Sequence, residues 1–149
     1  VAKSWFLFLM PAAEWDVPRG IELRTYPATG IGYRFSETAN SLLQVMIGPA
    51  YVWEEFTEFG ENDYTSVFLG CEGRYRFPTG ISIGGYVYYY PDLSGFGDNW
   101  LFRTELNLTI PLYGPLAMLV RFNEVYDNNP EPNVGDNKFT ALVGLAFKF

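Results

Sequence analysis

Apolar residues alternate with polar or small ones at a period of two, in eight segments of about ten residues broken by Gly, Pro, Asn and Asp clusters. That period marks strands whose two faces meet different surroundings. The clearest segment spans 21–35. Ile21, Leu23, Thr25, Pro27, Thr29, Ile31, Tyr33 and Phe35 fall on one face, and Glu22, Arg24, Tyr26, Ala28, Gly30, Gly32 and Arg34 on the other. The last segment, 139–149, repeats the pattern, and 4–15, 42–54, 66–77, 81–91, 100–112 and 116–127 lie between. No stretch shows a convincing helical period. The segments exceed the roughly 5–6 residues of an ordinary globular strand and match the roughly 9–11 that a tilted strand needs to cross hydrocarbon.

The pattern predicts an all-β fold: a single domain, 1–149, forming an antiparallel up-and-down transmembrane β-barrel of eight strands closed by pairing the first segment with the last. Long connections (55–65, 92–99, 128–138) nearly alternate with short ones (36–41, 78–80, 113–115), and the first link, 17–20, is tight. Outer-membrane barrels turn briefly on the periplasmic side and loop at length outside. This predicts the bacterial outer membrane, with periplasmic termini and extracellular long loops. Pro27, Pro49 and Pro111 lie inside segments, where each removes a ladder donor and should leave a bulge or a gap. Glu124 falls on the apolar parity of its segment, which predicts either a bulge near Asn123 or a position already at the headgroup level.

The outward face carries a band of Leu43, Val45, Ile47, Leu69, Ile83, Val87, Leu106 and Val143, with no charge at mid-segment. Aromatics collect at its ends: Trp5, Tyr33 and Tyr75 toward the short turns, and Trp15, Trp53, Tyr89, Trp100 and Tyr126 toward the long loops. Two interfacial girdles in contact with outer-membrane lipid follow from this order. The opposite face holds Glu22, Arg24, Arg34, Glu54, Glu72, Arg74, Arg76, Arg103, Glu105 and Arg121. Dry charges persist only when paired, so these predict an Arg/Glu network filling the lumen. A wider lumen, from more strands or self-association, would instead give a passive porin-like channel with an anion preference. The pattern leaves the oligomeric state open.

Composition narrows the chemistry. The 149 residues are 48% apolar and 19% aromatic, with a net charge of −7 that argues against nucleic acid as a partner. Histidine is absent, so Ser-His-Asp chemistry is impossible and the commonest metal ligand is missing. The single Cys71 excludes an intramolecular disulfide. The loop acids Glu54, Glu55, Glu58, Glu61, Asp63, Asp127, Glu131 and Asp136 read as solvated charge. The spacing of Asp127, Asn129 and Glu131 lacks the glycine and closing glutamate of a calcium loop. The reading is a non-enzymatic protein without cofactor or metal, serving envelope structure or loop-mediated contact.

The C-terminal stretch FTALVGLAFKF resembles the terminal signal read by the outer-membrane barrel assembly machinery. That resemblance implies the machinery as a partner during biogenesis, with Val143, Leu145, Phe147 and Phe149 on the recognised side. Longer stretches, GIELRTYPATGIGYRF, MIGPAYVWEEF, YYYPDLSGFGDNWLFRTELNLTIPL and FNEVYDNNPEPNVGDNKFTALVGLAFKF, resemble the salt-induced outer-membrane protein family of Gram-negative bacteria, a domain of unknown function. The resemblance runs from about Ser4 onward. It implies an outer-membrane barrel whose members carry further strands ahead of the segment matching 5–15, and it brings no catalytic residues.

Overall fold

The computed structural model describes residues 4–16, 21–56, 60–94, 99–128 and 136–147. Ten strands form one sheet: β1 (Ser4–Met10), β2 (Ala13–Asp16), β3 (Ile21–Thr25), β4 (Ala28–Glu37), β5 (Ser41–Phe56), β6 (Gly60–Arg76), β7 (Ser82–Pro91), β8 (Trp100–Tyr113), β9 (Leu116–Asp127) and β10 (Asn137–Phe147). All eight periodic segments are present, and the first two are each cut in two. The cuts fall at 11–12 and 26–27, where Pro11 and Pro27 lack the amide a ladder needs. Below the cut β1 pairs β4, from Ser4↔Arg34 to Met10↔Ala28. Above it β2 pairs β3, and β3 pairs the far end of β5. Single bonds bridge the breaks: Tyr26 N donates to Ala12 O (3.0 Å), and Tyr51 N to Pro27 O (3.2 Å).

The other prolines also mark irregularities. Between β4 and β5 the register passes from Ala28↔Ala50 to Ile31↔Ile47 without the two intervening pairs, beside Pro49. Gly30 and Gly48 let the backbones approach there; a Cβ on Gly48 would lie 1.8 Å from Thr29 O. Between β8 and β9 the register shifts from Pro111 to Tyr113. Of the two readings of Glu124, the bulge near Asn123 is not formed. β9 keeps unbroken register there with both neighbours, and Glu124 accepts a bond from Asn137 Nδ2 (2.8 Å). The connection predicted at 55–65 is also shorter than its sequence suggests. β5 and β6 stay paired to Phe56↔Gly60, so Glu54, Glu55, Glu61 and Asp63 ride on strands; Glu58 lies outside the described residues, as does Glu131.

The sheet is not closed. The path runs β1-β4-β5-β6-β7-β8-β9-β10, and no pair joins β1 to β10 among the described residues. The eight-strand barrel sealed by its first and last strands is therefore corrected to a curled, open sheet. Curling is required by contact between strands far apart in the order: Arg24 on β3 reaches Asp127 on β9, and Lys138 on β10 reaches Asp16 on β2. What resists closure is side-chain volume. Phe6, Phe8, Tyr26, Phe68, Tyr88 and Tyr90 gather on the concave side, and an eight-strand interior is only just wide enough for ordinary side chains.

Without a closed wall there is no lumen, so the lumen network and the channel alternative fall with the barrel. So do the outer-membrane topology and the assignment of termini and loops to its two sides. The concave centre is apolar and aromatic, built on Tyr26, Ala28, Met46, Ala50, Val52, Tyr64, Phe68, Tyr90, Leu101 and Val125. Charges surround this core in small groups.

Candidate functional site

The deepest charge is Arg24, whose side chain is wholly buried. Alternation on β3 turns it inward, and the curl brings Glu54 of β5 and Asp127 of β9 onto its guanidinium, Nε donating to Glu54 and Nη2 to Asp127. Asn62 Nδ2 adds a bond to Glu54 (3.0 Å). Burial alone would lower the Arg24 pKa, but the two carboxylates outweigh it and hold the group charged. Burial pushes Glu54 above the usual carboxylate range against the pull of Arg24, and the charge of Asp127 pushes the same way. Arg24 Nη1 and the Tyr90 hydroxyl are buried with no hydrogen-bond partner among the described residues.

A second group joins β8 to β2. Arg103 Nη1 bonds Glu14 Oε2 (2.5 Å) and the Tyr26 hydroxyl, and its guanidinium lies 4.9 Å from the Tyr26 ring centroid. A third runs from Arg34 Nε to Gln44 Oε1 (3.2 Å), from Gln44 Nε2 to Glu72 (2.8 Å), and from the Tyr88 hydroxyl to Glu72. Arg121 Nε donates to Asn107 (2.8 Å) and lies 3.9 Å from Glu105.

The residues named from sequence thus separate into several clusters rather than one network. Glu22 is exposed, because a register shift between Ile21 and Leu23 turns Ile21 inward instead. Arg74 and Arg76 are exposed and make no ion pair among the described residues. Missed from sequence were Glu14, Gln44 and the inward role of Asp127, which was read as loop charge; Glu54 was read both as an inward charge and as a loop acid, and it lies inward on Arg24. Parity with Arg24 on the neighbouring strand was the signal that could have found Glu14. The carboxylates of these clusters are all engaged by arginines, tyrosines or amides. Among the described residues no group of three or more His, Cys, Asp or Glu could hold a metal ion.

The convex face is of opposite character. Leu7 is 84% exposed, Leu9 78% and Val143 69%, and Ile31, Leu43, Val45, Ile47, Leu69, Ile83, Val87 and Leu106 are exposed beside them. A shallow groove of about 660 Å³ crosses this surface between Trp5, Tyr33, Ile47, Leu69, Val87 and Tyr89. By register, the charges placed on this face include Glu55, Glu61, Asp63 and Glu124, near strand ends.

The aromatic residues named from sequence fall into two groups on this face. Trp5 packs edge-on to Tyr33 (5.0 Å), and Tyr75 to Phe77 (4.8 Å), at one side. At the other, Trp100 contacts Tyr89 (5.8 Å) and stacks on Tyr126 (4.8 Å), with Trp53 on the same face and Trp15 largely exposed. Val143, Leu145 and Phe147 are exposed on β10; Phe149 lies outside the described residues.

Residues 1–149 match the family described as a protein of unknown function, DUF481, which bears out the resemblance read from the sequence. No curated protein and no solved structure matches the chain.

Proposed function

The chain belongs to the DUF481 family, whose description assigns no function, and from its surface we propose a non-enzymatic, lipid-contacting protein. Phospholipid acyl chains cover the convex face. The observation that carries this reading is the order of side chains across that face: aliphatic in the middle, Trp and Tyr at both ends, charges near the ends. A protein interface of this size would place its aromatic anchors near the centre and its polar groups around them. Aromatics bordering an aliphatic band match the boundary between headgroups and hydrocarbon. Many large apolar side chains exposed side by side on one face mark an interaction surface.

The test is flotation of the purified chain with phosphatidylcholine vesicles, combined with tryptophan quenching by lipids brominated near the headgroup or deep in the acyl chain. All four tryptophans, Trp5, Trp15, Trp53 and Trp100, lie toward the ends of the convex face. Bound protein should be quenched more by the shallow bromines than by the deep ones. A chain that neither floats nor is quenched does not contact lipid, and the reading is then wrong.

A further inference from the structure

Arg74 is a concave cation that the fold leaves unspent. β6 pairs with β5 and β7 without a register shift, so Arg74, six residues beyond Phe68 of the core, faces the same side. Its guanidinium makes no ion pair or hydrogen bond among the described residues, whereas Arg34 is held by Glu37 and Arg121 by Asn107 and Glu105.

Register carries Arg74 across to Gly84 on β7 and Asn107 on β8, and in the row nearer the turns Ser82 faces Thr109. Gly84 has no side chain to fill its place in the row. A hollow of about 390 Å³ lies there, with Arg74, Ser82, Asn107 and Thr109 in its lining. A Cβ on Gly84 would stand 3.5 Å from Arg74 Cγ, so the arginine stem runs along this floor. The Ser82 and Thr109 hydroxyls also have no hydrogen-bond partner among the described residues. Opposed residues of antiparallel strands stand about 4.5–5.5 Å apart at Cα, so both hydroxyls reach one ligand. The other polar groups are already engaged. Asn107 Nδ2 donates to Glu105 (2.6 Å), and Glu72, the one carboxylate in the lining, accepts from Gln44 and from the Tyr88 hydroxyl.

We propose that this hollow binds the phosphate group of a small, water-soluble phosphate monoester. The guanidinium fork of Arg74 takes two phosphate oxygens, and the Ser82 and Thr109 hydroxyls donate to the others. Small-ligand pockets run from about 300 to 1,000 Å³, and this one leaves room for a few carbons beyond the phosphate. The hollow lies on the side opposite the apolar face, so its ligand comes from water. It is built on β5 to β8, in the middle of the sheet, and does not depend on what adjoins either edge or on whether the convex face meets lipid.

The test is isothermal titration calorimetry of the full chain with glycerol 3-phosphate, with glycerol and succinate as controls. Glycerol 3-phosphate should bind, glycerol should not, and succinate, a dianion without a tetrahedral head, should bind more weakly. Arg74→Gln should lower the affinity about tenfold or more, the size of a charged hydrogen-bond contact. Arg76→Gln removes the same charge from a side chain outside the lining and should weaken binding much less. Arg74 is exposed, so circular dichroism should show the fold kept. Absence of glycerol 3-phosphate binding, equal binding of succinate, or equal losses at Arg74 and Arg76 overturns the proposal. Should Arg74→Gln fail to fold, Ser82→Ala combined with Thr109→Val decides: binding should weaken severalfold, and unchanged binding overturns the proposal.

Discussion

Lys138 Nζ on the last strand lies 2.5 Å from the Asp16 carboxylate on the second, joining two strands that share no backbone ladder. Asp16 is nearly buried, while Lys138 keeps much of its side chain in the open. The asymmetry predicts unequal substitutions. Lys138→Ala leaves a buried carboxylate without its cation and should cost about 1–3 kcal/mol. Asp16→Asn leaves only an exposed ammonium and should cost less. Urea unfolding of both variants checks the order, and equal losses would show that the unequal burial of the two groups does not set the cost.

Arg24 makes the stronger case. It joins three strands, and its removal strands two carboxylates in the interior. Arg24→Ala is expected to lose about 3–5 kcal/mol, the usual cost of breaking a buried pair from one side. Combining Arg24→Met with Glu54→Gln and Asp127→Asn should recover most of that loss, since the desolvated charges go together. A triple variant as unstable as Arg24→Ala would mean that shape, not charge, holds the three strands.

Glu54 also predicts a pH dependence. Its folded pKa is raised by burial above its ordinary value of 4.5. The folded chain therefore holds this proton more tightly than the unfolded one. Its stabilising contribution is complete below pH 4.5 and is lost as pH rises through the raised folded value. The stability difference between wild type and Glu54→Gln should thus fall as pH increases from about 4.5. A difference that stays flat or grows with pH would contradict the burial of this carboxylate beside Asp127.

These outcomes bear on what local sequence can report. The strands were legible because alternation is a nearest-neighbour property, and Pro27, Pro49 and Pro111 mark their irregularities for the same local reason. The concave core was not. Alternation put Tyr89 outward with Ile83 and Val87, but aromatics occupy both parities from Tyr86 to Tyr90, so nothing local marked Tyr88 and Tyr90 as members of a packed core rather than lumen-facing residues. Asp127 was hidden because its partner, Arg24, is 103 residues away in the chain. Closure was hidden more deeply, since it depends on the summed volume of side chains from many strands.

A backbone contact provides another prediction. A Cβ on Gly48 would lie 1.8 Å from Thr29 O and 2.7 Å from Gly30 Cα, and neither can rotate away. Gly48→Ala should therefore cost about 1–3 kcal/mol, as overpacking commonly does. At Gly144 the nearest atom to an added Cβ is a flexible one, Leu142 Cδ2 at 3.9 Å, so Gly144→Ala should be nearly neutral. Similar losses at both positions would show that the gap beside Pro49 is not a close approach of β4 to β5.

The concave tyrosines should respond at the alkaline end. Burial is the main cause raising the pKa of Tyr26, Tyr64, Tyr88 and Tyr90 above the ordinary value of 10.0, with Glu72 adding to it at Tyr88. Each stays protonated in the fold at a pH where the unfolded chain would ionise. The stability they contribute is complete below pH 10.0 and is lost as pH rises toward their folded values. Their ionisation, followed by ultraviolet absorbance, should appear together with the loss of strand circular dichroism rather than before it. If all eleven tyrosines ionised while the strands remained intact, the aromatic core would be open to water, and side-chain volume could not be what holds β1 apart from β10.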